Sequence, residues 1–354
     1  GKPIIKNNGK EPMNNNQALS DNSFSQYIDL ASEKVGGRAI GCSDEWFANC
    51  SNLVKKGRGE FKEGYFVDTG QWMDGWESRR SFKRRWRQGL EENCDWCVIR
   101  LGISGVIKGF DIDTNHFRGN APEKVSVEAA VIETDEFDDA DWTEILCLSE
   151  VEPNQPNPFT CENTKSWTHV RLKIYPDGGV ARFRVFGEAK INQNNFIPGE
   201  LVDLACVTNG GRGLKASDMF FSSPSNLIMP SKGLNMGDGW ETKRRRDDKN
   251  DWAIIKLGAI GTIRKVILDT AHFKGNYPDQ FSLEATHCKD SHLENAAWQP
   301  IIEKTALQSD REHLFIQKIC CDELTEFTHI RIHIYPDGGI SRLRIFGFPN
   351  WRAI

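Results

Sequence analysis

Residues 95–129 read D-W-C-V-I-R-L-G-I-S-G-V-I-K-G-F-D-I-D-T-N-H-F-R-G-N-A-P-E-K-V-S-V-E-A, and residues 251–285 read D-W-A-I-I-K-L-G-A-I-G-T-I-R-K-V-I-L-D-T-A-H-F-K-G-N-Y-P-D-Q-F-S-L-E-A. The two stretches align without a gap, and about half of their positions are identical. Repetition at this distance marks a whole-domain duplication rather than a solenoid. Within the first copy Cys97, Ile99 and Leu101 occupy alternate positions, as do Ala253, Ile255 and Leu257 in the second. A period of two is the mark of a half-buried β-strand. Val125, Val127, Ala129 and Val131 extend the pattern, with Ser126 and Glu128 between them.

The repetition spreads outward in both directions. Asp29-Leu30-Ala31, Gly36-Gly37-Arg38 and Ser43-Asp44 return as Asp203-Leu204-Ala205, Gly210-Gly211-Arg212 and Ser217-Asp218. Asp74-Gly75-Trp76-Glu77 returns as Asp238-Gly239-Trp240-Glu241, and the stretch from Thr168 to Gly187 returns between Thr328 and Gly347. The offset between copies falls from 174 to 164 to 156 and then rises to 160, so the second copy is shorter in two loops and longer in a third. Val170, Leu172 and Ile174 alternate with His169, Arg171 and Lys173, and Phe183 and Val185 alternate with Arg182, Arg184 and Phe186. Tyr175-Pro176-Asp177-Gly178 has the composition of a β-turn. Short strands between Gly, Asp and Asn turns, without a long helical period, predict an all-β protein of two tandem jelly-roll or β-sandwich domains. The expected division is a flexible N-terminal extension (1–23), repeat one (24–190), a linker (191–198), repeat two (199–349) and a short tail (350–354).

Composition narrows the function. The 354 residues carry 45 Lys and Arg against 50 Asp and Glu, a net charge of −5 that argues against a nucleic-acid-coating protein. No apolar run approaches the length of a membrane span, and residues 1–22 have no apolar stretch of the kind a secretory signal needs. A soluble protein is expected. Cytosol is the default compartment; Arg352-Ala353-Ile354 is not the S-K-L address, and a peroxisomal location is left open. The ten cysteines read as free, partly buried thiols, since Cys94-x-x-Cys97 has no second pair to complete a zinc site. Cys320-Cys321 reads the same way. Lys83-Arg84-Arg85 and Arg244-Arg245-Arg246 read as solvated loops. Neither G-x-S-x-G nor H-E-x-x-H occurs.

Three duplicated loop clusters carry the chemistry-bearing side chains. Gln71 to Arg80, matched by Asn235 to Arg244, brings two carboxylates and two guanidinium groups within ten residues. Asp113-Thr114-Asn115-His116-Phe117-Arg118-Gly119-Asn120, matched from Asp269 to Asn276, sets a histidine three residues after an aspartate. Such a pair serves as a general acid or base oriented by a carboxylate, or as metal ligands. Arg182 and Arg184, matched by Arg342 and Arg344, share one strand face and are suited to grip a carboxylate bidentately. A solvated strand face is the competing reading.

Taken together, S-D-E-W-F (Ser43 to Phe47), D-G-W-E, D-T-x-H-F-x-G-N and Y-P-D-G-G-x-x-R, three of the four in duplicate, resemble the allantoicase family over about residues 28–347. The resemblance implies two jelly-roll repeats related to galactose-binding-like domains, and hydrolysis of allantoate to ureidoglycolate and urea in purine catabolism. That reaction needs a cation for the substrate carboxylate, an acid for the departing urea, a base for water, and planar polar groups for the ureido arms. The expected assignment gives the carboxylate to Arg79 and Arg182, or to Arg342 and Lys243. His116 or His272 protonates urea, and Glu77 or Glu241 activates water. Asp74, Asp238, Asn120 and Asn276 orient the ureido groups. Repeat one has the fuller polar set. The ligand set for a divalent metal is not compelling, so metal use is left open, as is homo-oligomerisation. The rival expectation is a non-catalytic tandem ligand- or sugar-binding protein, or an inactive homologue.

Overall fold

A computed structural model describes residue 24, residues 26–81 and residues 93–353. The expected N-terminal extension and Lys83-Arg84-Arg85 lie outside the described residues. The alternating pattern quoted above becomes one 19-residue strand, Asp95–Asp113, in which Cys97, Ile99, Leu101 and Ile103 are all buried. Its first half pairs antiparallel with Arg38–Cys42 on one side and Ser166–Tyr175 on the other. Its second half pairs with Arg182–Ala189 and Pro158–Thr160. Lys124–Ala130 and Thr143–Glu150 continue the sheet beyond Ser166–Tyr175, and Ile28–Asp29 closes the edge beside Arg182–Ala189. Val131, expected at the end of this pattern, lies outside the strand and is exposed.

In repeat two the equivalent of the long strand is broken into Asp251–Gly261 and Lys265–Asp269, and the two layers separate. One is a five-stranded sheet centred on Asp251–Gly261 and Phe327–Tyr335. The other is a four-stranded sheet containing Lys265–Asp269 and Arg342–Gly347. All pairings are antiparallel, so each repeat is a two-layer sandwich with its alternate side chains turned inward. Residues 191–198 contain a short 3-10 turn, Gln193–Asn195, and Phe196 packs on Trp351 from the C-terminal end at 5.0 Å between ring centroids. No helix among the described residues is long and apolar enough to cross a membrane.

Two of the recurring motifs meet at one end of each sandwich. Trp76–Glu77 pairs with Gly179–Val180, so D-G-W-E and Y-P-D-G-G are adjacent ribbons. Phe117 fills the angle between them. A Cβ on Gly179 would stand 2.0 Å from its ring, and one on Gly339 would stand 1.9 Å from Phe273. Glycine is therefore required there by close packing. Trp76 and Trp240 are fully buried and donate from Nε1 to the carbonyls of Asp44 and Asp218. The motifs retained after duplication are in good part the joints of the sandwich.

Candidate functional site

The two-residue strand Trp76–Glu77 is hydrogen-bonded on both sides, to Gly179–Val180 and to Ala48, which leaves the Glu77 backbone little freedom. Its side chain lines a cavity of about 620 Å³, within the size range of small-molecule sites. Phe47, Phe61 and Met73 supply apolar wall, and Gln71, His116, Arg118 and Asn120 supply polar groups. Asn120 donates from Nδ2 to Glu77 Oε2 at 2.9 Å. Burial pushes the Glu77 carboxyl up, against the opposing pull of that amide and of Arg80. A carboxylate so placed is a stronger base than a solvated one.

The cavity exists because repeat one is longer here. Glu60 N–H donates to Asp74 Oδ2, and Leu234 N–H makes the same bond to Asp238 Oδ2. Between these matched points lie residues 61–73 in one repeat and only residues 235–237 in the other. The extra residues fold as a small hairpin, Phe66–Val67 against Gly70–Gln71, and bring Phe61, Glu63, Thr69, Gly70 and Gln71 to the cavity. This is the loop in which the offset drops from 174 to 164.

His116 lies at φ 69°, and His272 repeats this at 73°. Each is held by its own amide, which donates to Asn154 Oδ1 at 2.8 Å or to Asp310 Oδ1 at 2.7 Å. The imidazoles differ. His116 stacks on Phe61 at 5.6 Å between centroids, and its ring nitrogens have no hydrogen bond among the described residues. His272 Nε2 is bonded to the Gly233 carbonyl at 2.7 Å, so that nitrogen carries the proton and is occupied. The expected aspartate partner is not on the imidazole. Asp113 instead accepts from Arg58 Nε at 3.1 Å and from the Asn115 amide at 2.9 Å, because the turn after the strand carries the His116 ring away from it.

The arginines depart most from expectation. Arg182 is buried rather than on a solvated strand face. It forks onto Asp74 with two bonds of 2.9 Å and donates from Nε to the Gly57 carbonyl at 3.0 Å. Burial opposes ionisation of Asp74, but the Arg182 fork and the Glu60 amide outweigh it and hold the carboxyl below the usual range. Arg184 donates to the carbonyls of Lys55 and Gly57. In repeat two Arg342 donates to the Ser231, Asn226 and Asp238 carbonyls, and Arg344 to those of Met229 and Ser231. These guanidinium groups clamp loops to the sandwich, which explains their presence in both copies. Asp74 and Arg182 do line a neighbouring cleft of about 720 Å³, shared with Phe61 and His116, but each already satisfies the other.

Arg79 lies outside the cavity. It pairs with Asp44 at 3.0 Å and stands over the Trp46 ring, and Lys243 stands likewise over Phe220. Asp238, the counterpart of Asp74, turns to the other repeat and pairs with Lys34 at 3.2 Å and with Lys56. Glu241 and Asn276 keep the carboxylate–amide pair, at 2.6 Å. The structure thus brings together Glu77, His116 and Asn120, and engages Arg79 with Asp44 and Arg182 with Asp74. It adds a cation that sequence reasoning passed over. Arg118 lines the cavity and has no ion pair among the described residues. The signal was present: the variable place in D-T-x-H-F-x-G-N is basic in both copies, Arg118 and Lys274.

Comparison with known proteins agrees with this architecture. The allantoicase repeat family matches residues 28–190 and again residues 202–350. A protein of Photobacterium profundum described as a probable allantoicase is 45% identical over 334 residues, covering 93% of this chain and 98% of its own. The allantoicase of Dictyostelium discoideum is 43% identical over 330 residues, covering 91% of this chain and 87% of its own. The crystal structure of allantoicase from Saccharomyces cerevisiae superposes with a TM-score of 0.74 at 34% identity, over 94% of this chain and 97% of that one.

Proposed function

The chain belongs to the allantoicase family and hydrolyses allantoate to ureidoglycolate and urea in purine degradation, and we propose that the cavity of repeat one is where it does so. The observation that carries this reading is the pairing of a raised carboxyl, Glu77, with an unoccupied imidazole, His116, on the walls of one cavity. Allantoate presents a central carbon bearing a carboxylate, a hydrogen and two ureido nitrogens. Arg118 receives the carboxylate, a role moved here from Arg79, which is paired with Asp44 outside the cavity, and from Arg182, which is forked onto Asp74. Asn120 and Gln71 offer amides to the ureido arms, with Asn120 also holding Glu77.

The chemistry balances as follows. Glu77 takes a proton from water as its oxygen bonds to the central carbon. The carbon–nitrogen bond to one ureido arm breaks, and His116 gives its proton to that nitrogen so that neutral urea leaves. Without that proton the leaving group would be a poor anion. One water is consumed, and the remaining carbon keeps its carboxylate, one ureido arm and a new hydroxyl. Phe47, Phe61 and Met73 keep the reacting carbon in apolar surroundings, where charge interactions are stronger than in bulk water.

His116→Ala and His272→Ala, assayed separately for urea release, test the assignment. Loss of about 10²–10⁴-fold in the first variant and near-normal turnover in the second are expected. Full activity in His116→Ala removes the imidazole from the mechanism.

A further inference from the structure

The loop that carries Phe47 is flanked by a group of side chains that the reaction does not use. Cys42 ends the strand Arg38–Cys42 and faces Cys97 across the sheet. Cys50 opens the 3-10 helix Cys50–Val54, and its amide donates to Glu45 Oε2 at 3.0 Å. The Cys42 and Cys50 sulfurs and a Glu45 carboxylate oxygen all lie within 4.8 Å of one another. Cys97 stands directly opposite Cys42 in the strand register, so the two side chains lie on the same face of the sheet. Cys97 is wholly buried, Cys42 is half-buried and Glu45 is exposed, so the group runs from core to surface.

We propose that Cys42, Cys50 and Glu45, with Cys97 as the inner ligand, form a binding site for one soft divalent metal ion, zinc in the first instance. A tetrahedral ion with bonds of about 2.3 Å to sulfur holds its sulfurs about 3.8 Å apart, a spacing that Cys42 and Cys50 reach by small movements. Thiolate ligands select zinc-like ions over magnesium or calcium. Each ligating thiol gives up its proton to solvent as the ion enters, and the exposed Glu45 is the way in. Repeat two provides the internal comparison. At the four matching positions it has Ala216, Met219, Pro224 and Ala253, so the sandwich packs there without thiols. Among the described residues, thiols and a carboxylate converge in this way only in the repeat that has the hairpin-walled cavity.

Cys42 and Cys50 flank the loop that carries Phe47 and Ala48, and Ala48 is bonded to the Glu77 backbone in both directions, at 3.1 and 3.4 Å. The ion would fasten both ends of this loop and so hold one cavity wall and the Glu77 strand in register. That consequence rests on the site assigned above, whereas metal binding itself does not.

The experiment uses the full chain, reduced, stripped with chelator and titrated with cobalt(II). One equivalent is expected, with thiolate-to-cobalt charge transfer and the visible bands of a tetrahedral ion, both removed by zinc. Cys50→Ser and Cys42→Ala should lose the spectrum, and zinc should raise the melting temperature of the parent chain but not of these variants. Cys42→Ala places in repeat one the residue that repeat two already has, and Glu45→Gln changes only an exposed group, so these two separate loss of the site from loss of folding. Absence of the charge-transfer band, its survival in Cys50→Ser, or a Cys42–Cys50 disulfide in the untreated chain each overturns the proposal. A metal-free chain that keeps full urea release overturns the link to the cavity. Because the titration reads no activity, it stands or falls independently of the catalytic assignment.

Discussion

Glu77→Gln separates catalysis from stability at a single atom. The amide keeps the shape of the side chain, and its oxygen still accepts from Asn120 Nδ2, so the contact at 2.9 Å survives. What disappears is the ionisable group. Loss of a general base costs about 10²–10⁴ in rate, or about 3–5.5 kcal/mol of barrier. Stability should move the other way. Burial raises the Glu77 carboxyl above its ordinary value of 4.5, so its folded pKa exceeds its unfolded one. Such a group contributes stability below the unfolded value and loses that contribution as pH rises through the folded value. Charging this carboxyl therefore costs the parent chain stability that Gln does not lose, and the variant should melt no lower than the parent, the difference closing as pH falls toward 4.5. The same shift places the acid limb of the parent's kcat/KM profile above the ordinary glutamate range, because the base must be ionised. Urea release in the steady state, melting curves at several pH values and the matched Glu241→Gln variant complete the set. A Glu77→Gln enzyme retaining more than about a tenth of parental kcat/KM would refute the base assignment. Equal losses in both variants would refute the placement in repeat one.

Other outcomes follow from the same geometry. Arg118→Ala should raise KM by about 10–150-fold, the equivalent of a charge-assisted hydrogen bond worth about 1.5–3 kcal/mol, while Arg118→Lys keeps most of the affinity because repeat two already has Lys274 there. A kcat effect without a KM effect would contradict carboxylate binding. Asp111 is pushed up to about 6 by burial and by the charge of Asp113. Its stabilising contribution is complete below its unfolded value of 3.8 and is lost as pH rises through about 6. Asp111→Asn should therefore gain about 2–3 kcal/mol over the parent at pH 7 and nothing near pH 4, read by denaturant unfolding at both. Arg182→Ala leaves Asp74 buried without its fork and should cost about 3–5 kcal/mol, with lost activity following lost fold rather than preceding it in thermal scans.

The strands were legible because a two-layer sandwich forces one side chain in two inward, and that period survives in a single sequence at Cys97, Ile99 and Leu101. The roles of the charged residues were less legible, for a physical reason. Retention of Arg182 and Arg342 after duplication looked like retention of a ligand contact, but a buried clamp is retained just as firmly. Nothing adjacent to Arg182 reveals the clamp, since its partners Asp74 and Gly57 are 108 and 125 residues away in the chain. Glu77 with Asn120 was recoverable, because both lie in duplicated turns at one end of the sandwich. The freedom of His116 was not, because it depends on a carbonyl that binds His272 and leaves His116 alone. The cysteine cluster was hidden for the same reason. Cys94-x-x-Cys97 is the pair the sequence displays, yet the strand register sets Cys97 opposite Cys42, from another part of the chain.

Asp74 and Asp238 show what duplication has done with spare polar groups. Both accept the same backbone amide, from Glu60 or Leu234, so their loops are built alike. In repeat one the remaining capacity goes to Arg182. In repeat two Arg342 turns wholly to carbonyls, which frees Asp238 to bind Lys34 and Lys56 of repeat one. Burial opposes the Asp238 charge, but the Lys56 hydrogen bond, the Leu234 amide and Lys34 outweigh it and hold the carboxyl far below the usual range. Lys56 sits between Lys55 and Gly57, whose carbonyls take the donors of Arg184 and Arg182. The loop leading to Phe61 is therefore held from repeat one by two guanidinium groups and from repeat two by a carboxylate. A copy that lacks the hairpin and whose histidine is bonded to a carbonyl still fixes the base of the loop that forms the cavity wall. Selection on that contact would preserve the second D-G-W-E motif without any chemistry taking place in it.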